Sequence, residues 1–325
     1  MAIFHCQSKP ISRSEGRSAT AAAAYRAADR IIDERTGEIH DYTKKTGVEH
    51  REIITPGGVP EWVTDREKLW NAAEATERRK DSRVAREWEI ALPDELTPDQ
   101  RLALTLKFAR ELSNAYLVAV DVTIHAPGKE GDSRNHHAHL LTTTRIIERN
   151  GFGGKADLER SDKDLRKEGK HTTREFVGFI RKRWADLVNE TLERYGHEAR
   201  VDHRSLEAQG IEAEPTKHLG PTVSAMERRG LRTERGDFNR AALAIREMQD
   251  EVGQIEQLHQ GATNAKGAAR RWLEAREADA KMKRELEVKR EQQRVEQAAA
   301  EKQKKIDEQI KALHEISRGR GDIER

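Results

Sequence analysis

The amino-acid sequence predicts an α+β protein with a two-layer structure: helices flank a mostly antiparallel central sheet, and a long charged helical extension follows. Short segments that alternate apolar and polar residues predict the sheet, since strands that bury one face show this pattern. Segments with helical periodicity and helix-capping residues lie between them. Beyond about residue 240, charged residues and alanine predominate. We therefore expect one domain over residues 1–240 and a charged helical or weakly coiled-coil extension over residues 241–325.

Four segments are predicted to form strands, because each places apolar residues on one face and polar residues on the other. They cover about residues 3–7, 86–92, 116–124 and 137–143. The residues on or next to their polar faces include His5, Glu87, Glu89, His125, His137 and His139. A loop with Gly and Pro joins the third and fourth segments, which predicts a hairpin.

The predicted helices alternate with these strands. They cover about residues 19–32, 65–80, a segment that begins after Thr97, and 173–195. Ser18 is a plausible N-cap for the first helix, and Thr97 forms a capping-box pattern with Gln100 in the third. The basic stretch 151–171 contains several glycines and is expected to be a flexible loop.

The composition limits the classes of protein considered. Of the 325 residues, 36% are charged, but the formal net charge is only +2, so overall charge does not by itself indicate a nucleic-acid-binding protein. Cys6 is the single cysteine, which excludes an intramolecular disulfide framework and a cysteine-rich zinc site. The N-terminus lacks the pattern of a signal peptide, and no apolar run reaches the ~18 residues of a membrane span. We expect a cytoplasmic protein without a membrane span.

The histidines of the third and fourth strands are the first candidate site. His137 and His139 are one residue apart, so on a strand they share a face. If the hairpin forms, His125 joins them, and three imidazoles on one sheet face can bind a divalent metal ion. The alternative is a half-solvated sheet with structural histidines. That interpretation predicts Lys, Thr and Glu on the wet face rather than clustered histidine.

Tyr25 is the candidate nucleophile. It lies in an alanine-rich helix, where small neighbours would let a large substrate approach the phenol. Arg13, Arg17 and Arg26 are close in sequence and could neutralise phosphate groups. The alternative is that Tyr25 belongs to an ordinary amphipathic stripe. The chain has no His-Glu-x-x-His metalloprotease pattern, no Gly-x-Ser-x-Gly elbow and no P-loop.

The order of these segments resembles the MobA/MobL family of conjugative relaxases, which are one-tyrosine endonucleases of the HUH class. The first strand, the alanine-rich helix with Tyr25, the acidic strand and the histidine pair occur in the family's order. Residues 201–211 and 217–221 are similar to its closing motif, so the resemblance spans roughly residues 1–235. It implies a relaxase-like fold and a relaxase domain over residues 1–240.

The resemblance also implies roles for individual residues. Tyr25 matches the nucleophile, and Glu87 matches an acidic catalytic position. The metal ligands would be His125, His137 and His139, with Glu89 and His5 as auxiliary residues. The candidate DNA contacts are Arg13, Arg17, Arg26, Lys155, Arg166, Lys167 and Lys170. The bound ion would be divalent, with Mn²⁺ or Mg²⁺ favoured.

The implied activity is plasmid mobilization by site- and strand-specific nicking and rejoining of single-stranded DNA at a transfer origin, through a 5′-phosphotyrosine intermediate. The implied partners are transfer-origin DNA, accessory mobilization proteins and the coupling protein of a type IV secretion system. The C-terminal helix is a candidate for a protein contact. Two alternatives stay open: a rolling-circle replication initiator of the same class, and a non-catalytic DNA-binding scaffold.

Overall fold

A computed structural model describes residues 2–128, 132–211, 214–217 and 219–319. The strands are β1 (Cys6–Ser12), β2 (Arg30–Ile32), β3 (Ile39–Asp41), β4 (Val48–Ile54), β5 (Arg83–Ala91), β6 (Val120–His125), β7 (His137–Thr143), β8 (Arg145–Glu148) and β9 (Gly151–Lys155). The α-helices are α1 (Ala19–Ala27), α2 (Arg66–Thr76), α3 (Pro98–Tyr116), α4 (Asp162–Lys167), α5 (Thr173–Arg194), α6 (Gly220–Arg228) and α7 (Glu234–Gly319). The chain divides into two units between Ser205 and Leu206.

The first unit is built on a five-stranded sheet with the strand order β1-β5-β7-β6-β4. All four neighbouring pairs are antiparallel. Two small antiparallel hairpins, β2–β3 and β8–β9, lie outside this sheet. The predicted α+β class with a mostly antiparallel central sheet is confirmed.

Each face of the sheet has its own hydrophobic core. On one face, alternate residues of the strands pack with α3 and α5, and the rings of Phe108 and Trp184 lie 4.9 Å apart there. On the other face, α1 and α2 pack against a second cluster that includes Ile11, Leu69 and Leu141. Helices therefore cover both faces of the sheet, which makes three layers rather than the predicted two, and α1 and α2 share their face with the polar strand residues.

Local sequence determines where these helices begin and end. The Ser18 hydroxyl accepts a hydrogen bond from the Ala21 N–H at the start of α1, and Thr97 and Gln100 form the predicted capping box of α3. The predicted extension of α1 to residue 32 is wrong. The helix ends at Ala28, whose φ of 50° lies in the left-handed region, and residues 30–32 pair with β3 instead.

Several other predicted boundaries need correction. The first strand is Cys6–Ser12 rather than residues 3–7, and Tyr116 closes α3 rather than opening β6. Residues 151–171 are not a single loop, because they contain β9 and α4. No predicted strand covers β4, which pairs with β6 at the sheet edge.

The second unit is dominated by α7, an unbroken helix through the glycine-containing stretch near residue 261. Before it, α6 is short, and the Asn239 side chain bonds both backbone polar groups of Lys217. His218, in the predicted closing motif, lies outside the described residues. Among the described helices, none is long and apolar enough to cross a bilayer. The domain boundary near residue 240 stays a prediction.

Candidate active site

Strand register brings three histidines together. His125 on β6 lies directly opposite His137 on β7, and His139 follows two residues later on the same face. The ring centroids are 4.9–5.3 Å apart. One potential ligand nitrogen from each ring lies within 4.8 Å of the others. The neighbouring His136 points elsewhere, with its Nε2 3.6 Å from Asp94.

Each ring donates one N–H to an oxygen acceptor. His125 donates from Nε2 to the Arg26 carbonyl at 2.8 Å, and His137 donates from Nδ1 to the Asn135 carbonyl at 3.0 Å. His139 donates from Nδ1 to Glu87 at 2.7 Å. A histidine that binds a metal donates one ring N–H to such an acceptor and coordinates the metal through its other ring nitrogen. The three residues therefore fit a divalent ion, with Nδ1 of His125 and Nε2 of the other two as available ligand atoms.

Burial keeps two of these rings neutral. It lowers the pKa of His125 to about 4, although the hydrogen bond to the Arg26 carbonyl acts in the opposite direction. Burial also lowers the pKa of His137. A neutral imidazole is the form that binds a metal. These two histidines are thus in the ligating protonation state throughout the physiological pH range.

Glu87 is a buried carboxylate beneath the histidines. It is 2% exposed and accepts hydrogen bonds from His139 and, at 2.5 Å each, from Nε and Nη2 of Arg26. Burial alone would raise the pKa of Glu87, but the hydrogen bonds from His139 and Arg26 hold it well below its ordinary value. Glu87 is therefore ionised and oriented by fixed partners.

Tyr25 lies in the last turn of α1, with its side chain 51% exposed. The Tyr42 ring contacts its ring edge-on, with centroids 5.2 Å apart, and the Lys45 ammonium lies 3.8 Å from its ring centroid. Lys45 also donates to the Tyr25 carbonyl at 3.0 Å. The next residue, Arg26, accepts the hydrogen bond from His125, so the tyrosine segment of α1 lies directly against the histidine cluster.

A cleft of about 710 Å³ opens beside Tyr25. Five basic residues line it, among them Arg17, Arg35 and Lys80, against two acidic ones, Asp33 and Glu38. The Tyr42 ring lines it as well. A positively charged cleft with aromatic side chains is suited to single-stranded nucleic acid.

The predicted DNA contacts fall into two groups. Some are engaged within the protein: the Arg13 guanidinium is bonded to Glu74 and to backbone carbonyls, and that of Arg26 is bonded to Glu87. Similarly, Lys155 lies 2.7 Å from a Glu77 oxygen. Exposed or partly exposed side chains form the other group, which comprises Arg17, Arg166, Lys167 and Lys170. Within this group, Lys170 lies 2.9 Å from Asp157 and Arg17 lies 3.8 Å from Glu15. DNA binding by any of them stays a prediction, and the arrangement of the first group does not favour it.

The auxiliary residues lie at the edge of the cluster. Glu89 sits opposite His139 in the register but pairs with Lys9 at 2.5 Å. Burial lowers the pKa of His5, against the opposing charge of Glu89. Lys45, which precedes the unpredicted strand β4, was not among the predicted site residues, and Arg26 was predicted in a different role. No sequence signal distinguishes Arg26 from the other arginines near Tyr25.

The fold and this site define a protein that brings a tyrosine helix to a three-histidine centre on an antiparallel sheet. The chain belongs to the MobA/MobL family, whose model matches residues 17–229. The family predicted from the order of the sequence segments is thereby confirmed.

Three relatives illustrate the membership. Mobilization protein MobL of Acidithiobacillus ferridurans is 44% identical over 266 residues, which cover 75% of this chain and 69% of that protein. Mobilization protein A of Escherichia coli is 40% identical over 73% of this chain, which spans only 32% of that protein. A solved structure described as the molecular basis of vancomycin resistance transfer in Staphylococcus aureus shares 37% identity and a TM-score of 0.55, covering 63% of this chain and 100% of that one.

Proposed function

We propose that the chain is a plasmid mobilization relaxase that nicks and rejoins one DNA strand at a transfer origin. The observation that carries the proposal is the contact between the tyrosine helix and the histidine cluster, through the His125 hydrogen bond to the Arg26 carbonyl. Membership in a family whose relatives are named mobilization proteins supports it.

In this proposal His125, His137 and His139 hold a divalent ion. Such an ion, when bound, supplies Lewis-acid polarisation of the scissile phosphodiester. Because three neutral imidazoles add no negative charge, the full positive charge of the ion is available to the phosphate. Mn²⁺ suits nitrogen ligands better than Mg²⁺ does, and we propose Mn²⁺ as the first ion to test.

The hydroxyl of Tyr25 attacks the phosphorus atom of the DNA. The new bond joins the phenolic oxygen to phosphorus, the bond to the 3′-oxygen breaks, and the proton lost by the phenol is balanced by the one that the 3′-hydroxyl gains. The 5′-phosphate stays on the tyrosine. One phosphodiester replaces another, so the released 3′-hydroxyl can reverse the step and rejoin the strand.

Glu87 acts in this scheme by orienting His139. Its oxygens already accept hydrogen bonds from Arg26 and His139, and its pKa is far below neutrality. A carboxylate in this state is a poor proton acceptor at pH 7. We therefore propose a positioning role rather than a general-base role.

The substrate we propose is single-stranded transfer-origin DNA, bound in part by the basic cleft beside Tyr25. We also propose that the chain acts in the cytoplasm with accessory mobilization proteins and the coupling protein of a type IV secretion system. The C-terminal helix α7 is the candidate surface for a protein partner, because apolar side chains such as Leu258 and Trp272 are exposed along it.

The direct test is the covalent adduct. Wild-type protein incubated with Mn²⁺ and a single-stranded origin oligonucleotide should form a denaturation-resistant adduct, and Tyr25→Phe should abolish it with oligonucleotide affinity unchanged. Tyr195→Phe is the control, because Tyr195 is also a partly exposed tyrosine but follows α5. An adduct that persists in Tyr25→Phe would assign the nucleophile elsewhere.

The same assay separates the alternatives. A non-catalytic scaffold forms no adduct with any oligonucleotide in a panel. A rolling-circle initiator forms one with a replication-origin sequence rather than a transfer-origin sequence. Sequencing the DNA ends trapped on the protein distinguishes these two enzymes.

A further inference from the structure

Arg26 is connected to two of the three histidines, to one directly and to the other through Glu87. Its backbone carbonyl accepts the N–H of His125 at 2.8 Å. Its guanidinium donates to both oxygens of Glu87, which in turn accepts the Nδ1 proton of His139 at 2.7 Å. A single residue next to Tyr25 is therefore bonded directly to one candidate metal ligand and, through a carboxylate, to another.

All three nitrogens of the Arg26 guanidinium make hydrogen bonds within the protein. Its third nitrogen donates to the Ala22 carbonyl at 2.8 Å, and the side chain is only 12% exposed. A DNA phosphate that took over the guanidinium would compete with the pair to Glu87, and loss of that pair would leave a buried carboxylate without its charged partner. This cost is large, so the environment of Arg26 does not favour the sequence-based prediction of a phosphate contact.

Two other basic side chains also bond to backbone carbonyls at the end of α1. Lys45 donates to the Tyr25 carbonyl and Arg51 donates to the Ala27 carbonyl, each at 3.0 Å. The last carbonyls of a helix have no partner within the helix, and here three successive ones are bonded to side chains of the site. Arg26 differs from these neighbours because its own side chain also bonds to Glu87 on strand β5.

We infer that Arg26 is a positioning residue that locks Tyr25 and the histidine cluster into one geometry. This inference rests on the proposed function and deepens it. Arg26 fixes the last turn of α1 against His125 and orients His139 through Glu87. Removing its side chain should therefore weaken metal binding, although Arg26 is not a ligand, and should slow DNA cleavage without weakening DNA binding.

The test compares Arg26→Gln and Arg26→Lys with Arg30→Gln, an exposed arginine nearby. Mn²⁺ affinity is measured by titration calorimetry on the full chain, with circular dichroism as the folding control. Loss of groups that orient a metal ligand costs 10–100-fold in affinity, so we expect about tenfold weaker Mn²⁺ binding for both Arg26 variants. Lysine should not rescue, because its ammonium cannot reproduce the two parallel hydrogen bonds that the planar guanidinium makes to the carboxylate. Arg30→Gln should bind as wild type does.

Two further measurements sharpen the result. The double variant Arg26→Gln with Glu87→Gln should bind Mn²⁺ no more weakly than Glu87→Gln alone, because both changes break the same connection. Oligonucleotide affinity and its salt dependence should be unchanged in Arg26→Lys, while the rate of adduct formation falls. If Arg26→Gln does not fold, Arg26→Lys provides the same comparison.

The outcomes are distinguishable. Wild-type affinity for Mn²⁺ in the Arg26 variants, or additive losses in the double variant, would overturn the positioning role and leave the relaxase proposal intact. Weaker oligonucleotide binding with a shallower salt dependence would make Arg26 a DNA contact instead. A wild-type protein that binds no Mn²⁺ would overturn both the proposed metal centre and the role of Arg26.

Discussion

Glu87→Gln should destabilise the first unit by about 3 kcal/mol, because it leaves a buried arginine without its counter-ion. The carboxylate is 2% exposed and the Arg26 side chain 12% exposed, so water cannot replace the lost partner. Glutamine keeps the shape of the side chain but offers one acceptor oxygen, and its amide group faces donors. Breaking a buried pair by removing one partner costs about 3–5 kcal/mol, and the retained oxygen places this variant at the lower end.

The matched control is Glu89→Gln, on the same strand and the same face of the sheet. Glu89 pairs with Lys9, but these side chains are 28% and 37% exposed, and such surface pairs contribute about 0–1 kcal/mol. Urea unfolding of the full chain, followed by near-ultraviolet circular dichroism in the presence of EDTA, measures both variants. Equal unfolding midpoints for the two would refute the argument that burial makes the Glu87 pair the stronger one.

Three further predictions concern the same unit. In metal-free protein the free energy of unfolding should fall as pH drops from about 6.5 to about 4, because His125 has a pKa of 6.5 when unfolded and about 4 when folded. At about 1.4 kcal/mol for each pH unit, the loss amounts to about 3 kcal/mol. In a pH series of urea melts, His125→Gln should remove that part of the acid sensitivity. Leu117→Gly should raise stability by about 1 kcal/mol, since Leu117 ends α3 with a φ of 54° and is 47% exposed; an unchanged thermal midpoint would contradict this. Trp70→Phe should cost about 2 kcal/mol in urea unfolding, since it removes the indole hydrogen bond of 3.0 Å to buried Asp121; a cost below about 0.5 kcal/mol would show that Asp121 does not need this donor.

Period-two alternation was sufficient to predict which strand residues share a face. His137 and His139 could be grouped from sequence because side-chain direction in a strand depends only on residue parity, and His125 joined them through the predicted hairpin. Strand order and register depend on long-range pairing, which parity does not encode. The diagonal contact between Glu87 and His139 follows from that register and could be expected only from the resemblance to the family.

Other features left no readable local pattern. The edge strand β4 carries polar residues on both faces over most of its length, so its alternation is weak. The end of α1 at Ala28 requires a left-handed alanine, where glycine is the usual signal. Arg13, Arg17 and Arg26 were equivalent in sequence, and the buried partners Glu74 and Glu87 separate two of them from Arg17, whose partner Glu15 is exposed.

The buried face of α1 has a consequence for how the site can vary. This face is almost all alanine: Ala19, Ala22, Ala23, Ala24 and Ala27. A methyl group has no rotamers and cannot bend aside, so the spacing between α1 and the sheet is fixed by backbone dimensions. Any bulkier side chain at Ala24, which is fully buried, would lift the phenol away from the imidazoles. Variation in the site must therefore come from residues around the cleft, because the alanine face beneath Tyr25 cannot change without moving the helix.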